Sequence, residues 1–157
     1  MYKHILVPTD GSELSNRAVE YAAALAKSVN AKLTVLTVTT PYYGFLAERS
    51  MPPARIEDYE HEAAKLSEQY LDVAKDIAAA AKVSCNAIHD QSPQPYQAII
   101  DVAKDQGCDL IVMASHGRRG VAAIVLGSET VKVLTHSTIP VLVVRPQIDP
   151  LALLKGS

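Results

Sequence analysis

The chain has 157 residues, 48% of them hydrophobic and 20% charged, which fits one globular domain with a buried core rather than a disordered polymer. A formal net charge of -2, with no basic stripe or aromatic series, argues against capture of nucleic acid or an anionic membrane surface. No stretch approaches the ~20 apolar residues that span a bilayer, and three apolar residues after Met1-Tyr2-Lys3-His4 cannot form a signal-peptide core, so the cytoplasm is the expected location.

Ile5-Leu6-Val7 reads as the first strand, interrupted by Pro8 and Asp10. A helix is expected from about Ser12, with Leu14, Ala18, Ala22, Leu25, Ala26 and Val29 on one face. Asp10, three residues before Glu13, fits the N-cap of that helix. As an acceptor at the strand terminus it could instead hold an adenine amino group or a ribose hydroxyl, but the cap is the favoured reading. Leu33 to Val38, rich in β-branched residues, is the second strand. Thr39 to Pro53, with Pro41, Gly44, Pro52 and Pro53, is the one long connection, a length often associated with function. Its Tyr42 and Tyr43 either cover a ligand or pack the loop against the sheet.

Ile56, Tyr59, Ala63, Leu66, Tyr70, Val73, Ile77 and Ala80 alternate at spacings of three and four and predict a long second helix with an apolar stripe. Val83 to Ile88 is the third and weakest strand. A third helix begins near Pro95, where an N1 proline fits, and carries Ile99, Ile100 and Ala103. Asp109 to Met113 is the fourth strand, a fourth helix runs from about Ser128 to His136, and Val141 to Val144 is the fifth strand. The continuously apolar first, fourth and fifth strands suit strands covered on both faces. Cys85 and Cys108 lack metal-ligand or redox spacing and read as reduced, partly buried thiols. His4, His61, His89 and His136 are scattered, without metal-ligand spacing.

This alternation predicts an α/β fold: a single doubly wound five-stranded parallel sheet with right-handed crossovers, helices on both faces and the order 3-2-1-4-5. Ligands of such sheets bind beyond the carboxyl ends of the strands where the winding reverses, here between strands one and four. The segments to read are therefore Pro8-Thr9-Asp10-Gly11-Ser12 and Ala114-Ser115-His116-Gly117-Arg118-Arg119-Gly120, continuing to Gly127-Ser128. Gly117 and Gly120 would let the backbone turn sharply and bring amides close to an anion. Gly127-Ser128 opens a helix whose free amides and dipole attract phosphate, with Ser128 as cap or as hydroxyl donor. A tight strand-to-helix connection explains the same glycines without a ligand. His116 could contact phosphate or act as a base, although no nucleophile accompanies it, and Arg118 and Arg119 could neutralise phosphate.

These blocks, in this order, resemble the universal stress protein family over nearly the whole chain. Lys3 to Ser12 looks like that family's first strand and turn, Asp109 to Arg118 like its fourth strand and loop, and Leu126-Gly127-Ser128 and Ile139 to Val144 complete the match. The nucleotide-binding members carry Gly, two residues, Gly, nine residues, then Gly-Ser or Gly-Thr. Here Gly117, nine residues, Gly127 and Ser128 keep that spacing, while Ala114 stands in place of the first glycine. Its methyl group restricts positive φ and narrows the backbone approach. A glycine familiar near the start of the third helix is missing from Asp90-Gln91-Ser92-Pro93-Gln94-Pro95.

The resemblance implies a universal stress protein domain over residues 1–146, followed by a tail at 147–157, whose own Leu151, Leu153 and Leu154 could dock on the domain or on a neighbour. It implies that Asp10 and Val38 line an adenine or ribose pocket and that Ala114, Gly117, Gly127 and Ser128 surround the phosphates. Pro8, Thr9, Met113, His116, Arg118, Glu129 and Thr130 complete the implied nucleotide-binding set. The implied ligand is ATP, with or without Mg2+, and the implied partner is a second copy joined through Val141 to Val144. The leading expectation is a stress-associated, ATP-binding regulatory protein without committed catalysis. The alternatives are a homodimeric module that binds no nucleotide and a slow ATP hydrolase. An adenylating enzyme of related fold would carry a Ser-Gly-Gly-x-Asp-Ser loop where this chain has Thr9-Asp10-Gly11-Ser12, and no Walker A or dinucleotide fingerprint is present.

Overall fold

A computed structural model describes residues 1–42, 53–117 and 126–146. The elements follow one another as β1 (His4–Pro8), α1 (Glu13–Val29), β2 (Lys32–Thr39), α2 (Pro53–Ala80), β3 (Cys85–Gln91), α3 (Pro95–Asp105), β4 (Leu110–Ala114), α4 (Ser128–His136) and β5 (Val141–Val144). All pairings are parallel and the sheet order is β3-β2-β1-β4-β5, so the winding reverses between β1 and β4.

Side chains alternate across a strand, so each strand feeds two cores. Ile5, Val7, Leu33, Val35, Leu110 and Val112 face α1 and α2, while Leu6, Leu36, Ile111 and Met113 face α3 and α4. Alanines make much of the contact from the first pair of helices: Ala18, Ala22 and Ala26 from α1, Ala74 and Ala78 from α2. Their small side chains let both helix axes lie close to the sheet.

Three expectations are corrected here. The N-cap of α1 is Ser12 rather than Asp10: Ser12 has extended φ/ψ and its Oγ accepts from the Ser15 amide at 3.2 Å. Asp10 instead accepts from the Ser12 amide at 2.9 Å, an Asx turn one step upstream. β3 starts at Cys85, two residues later than Val83, because Lys82 takes a left-handed conformation (φ 57) and the Val83 amide still bonds Ala78 O as α2 unwinds.

The third correction concerns the face of α2. The stripe read from periodicity is rotated: Ser67, Leu71, Ala74 and Ala78 are buried, whereas Tyr59, Leu66 and Val73 are 42%, 44% and 46% exposed. Ser67, Ala74 and Ala78 accompany Leu71 on the sheet side, and the Ser67 hydroxyl meets its hydrogen-bonding need on Ala63 O at 2.8 Å.

The amino ends of β1 and β4 are tied together by Asp109, whose carboxylate accepts from the Lys3 and His4 amides at 2.9 and 3.1 Å. Beside them the buried His4 Nε2 meets Thr34 Oγ1 at 2.7 Å, and burial, aided by the Lys32 charge, pushes the imidazole below its ordinary pKa. Cys85 and Cys108 are free, and burial raises the Cys108 thiol to about 11. Among the described residues no helix is long and apolar enough to cross a membrane.

Candidate functional site

The turn after β1 is held from several sides. The Thr9 amide donates to Leu36 O at 2.8 Å, and Thr9 O accepts from the Thr37 hydroxyl at 3.0 Å. Thr9 Oγ1 lies 3.0 Å from Ser15 Oγ and accepts from the Gly11 amide. Gly11 is left-handed (φ +78), and a Cβ there would run into the Tyr70 ring of α2. This bracing aims the half-buried Asp10 carboxylate across the switch point.

On the other side, the end of β4 is stitched to the start of α4. The Ser115 amide donates to Val144 O at 2.9 Å, the Gly127 amide to Ser115 O at 2.7 Å, and Thr130 Oγ1 to Ala114 O at 3.0 Å. The Gly127 amide is thereby committed within the protein. Gly127, with extended φ/ψ, is the N-cap of α4, so Ser128 is its exposed first helical residue and not its cap. The first bond of the helix runs from the Val131 amide to Gly127 O at 3.0 Å. The amides of Ser128, Glu129 and Thr130 therefore precede any intrahelical partner and add to the positive end of the dipole.

The glycines serve space rather than φ. Among the described residues only Gly11, Asn30, Lys82 and Gly107 have positive φ, so neither Gly117 nor Gly127 is held by that requirement. A Cβ on Gly117 would come 2.5 Å from Asp10 Oδ2, and one on Gly127 would come 3.1 Å from His116 Cα. Ala114, the last residue of β4, is likewise free of positive φ and is 8% exposed, so its methyl group strains nothing in the backbone. Arg118, Arg119, Gly120 and Tyr43 lie outside the described residues.

Together the segments bound a cleft of about 770 Å³, within the size range of small-molecule sites. Pro8, Thr9, Asp10, Val38, Met113, Ala114, His116, Gly117, Gly127, Ser128, Glu129 and Thr130 all line it. So do residues that the sequence reading missed: Ser15, Leu36, Thr39, Thr40, Tyr59, Ala63, Pro93, Pro95 and Ile99. Thr39 ends β2, and Thr40, Pro93 and Pro95 follow the carboxyl ends of β2 and β3, so the same strand-end rule could have found them. Nothing in the local pattern marked Tyr59.

Several lining groups also serve the framework. Glu129 accepts from the Tyr96 amide at 2.8 Å, which caps α3 from another helix where Gln94 makes no side-chain cap. Asp10 and Glu129 are the carboxylates of the cleft, and its described lining contains no Lys or Arg. Attraction for an anion therefore comes from the start of α4. Ser115 Oγ and His116 Nδ1 lie 3.4 Å apart, but Ser115 is 1% exposed and does not line the cleft, so the pair presents no nucleophile to a ligand. No group of three or more metal-ligating side chains occurs among the described residues.

Comparison with known proteins gives a consistent result. The family model described as "Universal stress protein family" matches residues 1–145. Universal stress protein YxiE of Bacillus subtilis is 34% identical over 152 residues, covering 92% of this chain and 100% of the relative. The solved structure of MJ0577, a universal stress protein of Methanocaldococcus jannaschii, superposes with a TM-score of 0.80 at 27% identity, covering 95% of this chain and 99% of that one. A universal stress protein solved in complex with cAMP superposes with a TM-score of 0.71 at 28% identity, covering 93% and 99%.

Proposed function

The chain belongs to the universal stress protein family, and on that footing we propose that it binds an adenine nucleotide, ATP in the first instance, in the cleft between β1 and β4. The observation that carries the proposal is the first turn of α4. It opens onto the cleft with Ser128, Glu129 and Thr130 ahead of the first intrahelical bond, flanked by Gly117 and Gly127, where side chains would crowd Asp10 and His116. That arrangement suits phosphate: backbone donors, a positive dipole end and open space. Asp10 and Val38 also line the cleft, and Asp10, beside Gly117, is placed to accept from a base or ribose. The cAMP complex of a relative supports the same ligand class. The described side chains do not build a cage for Mg2+, so a divalent ion would be held chiefly by the phosphates.

The function follows as a nucleotide-dependent regulator in a stress response, working in the cytoplasm where two free thiols stay reduced. We further propose a homodimer through β5. β5 is the edge of the sheet beyond β4, and the four residues of its apolar run are only half-buried. An exposed apolar edge of this kind favours pairing with another copy.

Isothermal calorimetry with ATP tests the nucleotide reading. Heat of binding is expected for the native chain and none for the double variant Gly127→Val/Ser128→Ala, whose valine would press on His116. Absence of heat and of thermal stabilisation at millimolar ATP would overturn the reading, and unchanged affinity in the folded double variant would move the site elsewhere.

A further inference from the structure

We propose that Tyr59, on the second turn of α2, is the platform on which the heteroaromatic base of the ligand stacks. The inference rests on the nucleotide reading above and extends it to a residue on an element that carries none of the motif positions.

Tyr59 is a large side chain left 42% exposed in a helix whose buried side is Ser67, Leu71, Ala74 and Ala78. It does not point into bulk solvent alone, because it lines the cleft together with Ala63, one helical turn further on. Tyr42 packs against it: the two rings meet edge to face, with centroids 5.2 Å apart and planes at 64°. Tyr42 is itself 8% exposed, so this neighbour is anchored in the protein. Edge-to-face packing restricts the orientation of the Tyr59 ring while leaving part of its surface free. Ala63 at i+4 keeps the adjoining strip of helix low enough for a flat group to lie against it.

Position selects the base rather than the phosphates. α2 packs on β2 and β3, and β2 carries Val38 and Thr39 of the lining at its carboxyl end, followed by Thr40. The amides that suit phosphate belong to α4, which lies on the other face of the sheet beyond β4. A nucleotide with its phosphates at α4 therefore extends its base towards β2 and α2. An aromatic face accepts any base, so Tyr59 adds affinity, while hydrogen bonding to groups such as Asp10 discriminates between bases.

The experiment compares native protein, Tyr59→Phe and Tyr59→Ala, each titrated with ATP and with inorganic tripolyphosphate. Affinity is read by calorimetry and by tyrosine fluorescence, which is unobscured because the chain contains no tryptophan. Tyr59→Phe is expected to match the native affinity for ATP, and Tyr59→Ala to weaken it by roughly ten-fold or more. Tripolyphosphate should bind all three alike. Native binding of ATP with undiminished affinity in a folded Tyr59→Ala variant would overturn the platform and leave the nucleotide reading standing. Loss of ATP and tripolyphosphate together in Tyr59→Ala would also overturn it, since that marks a general structural effect. Failure of the native chain to bind ATP would remove both.

Discussion

Replacing Gly11 by alanine perturbs the turn that carries Asp10, and the structure separates the cost into two parts. At φ +78 an L-residue pays a conformational penalty of roughly 1–2 kcal/mol. The new methyl group would also run into the Tyr70 ring, an overpacking cost of about 1–3 kcal/mol once α2 or the turn has shifted. The sum is about 2–5 kcal/mol, a large share of the stability of a domain this size. Urea unfolding followed by circular dichroism measures it, and a second measurement in a Tyr70→Ala background separates the two contributions. There the alanine at position 11 should cost only the conformational part, about 1–2 kcal/mol. Equal costs in both backgrounds would refute the steric argument, and a cost near zero in both would refute the left-handed turn itself.

Other consequences are open to simple tests. Because the folded pKa of His4 is lowered, the unfolded chain binds the extra proton first as pH falls. Stability should hold above the unfolded value of about 6.5 and decline below it, and His4→Gln should flatten that decline in urea titrations between pH 5 and 8. Thr130→Val would strand the Ala114 carbonyl at a buried position and should cost about 1–3 kcal/mol by the same unfolding assay. The raised thiols predict slow reaction with a disulfide reagent at pH 8 in the folded protein and prompt reaction of both cysteines in guanidinium. In β5, Pro140 O and Val144 O face β4, so by alternation the Val141 and Val143 amides face outward. Val143→Pro should therefore preserve the monomer fold and halve the mass seen by sedimentation if the edge forms the dimer, whereas an unchanged mass would remove that interface.

Much of the architecture could be read directly. α3 begins where Pro95 places it, and α4 and β5 begin and end where Ser128 to His136 and the Val141 to Val144 run place them, because prolines, helix-terminal residues and apolar runs act over a few residues. The two strand-end segments at Pro8 to Ser12 and Ala114 to Ser128 could likewise be nominated from topology alone. What lay beyond reach was the partner of each residue. Asp10 and Ser12 both satisfy the local rules for a cap, and only the backbone path through Gly11 decides between them. Nor could the sequence show that position 114 needs no positive φ, because Ala114 continues β4 in register with Val144.

The alternation of apolar strands with amphipathic helices, and the hand of their crossovers, determined the parallel sheet and its switch point, since both follow from backbone chirality and the burial of contiguous segments. Only the tertiary structure decided which side of α2 faces the sheet, and so that Tyr59 stands at the cleft rather than in the core. It alone showed that a side chain at Gly117 would meet the carboxylate of Asp10, more than a hundred residues earlier, and displace it. Periodicity records that a helix has an apolar side. Shape and volume across the interface choose the residues that occupy it.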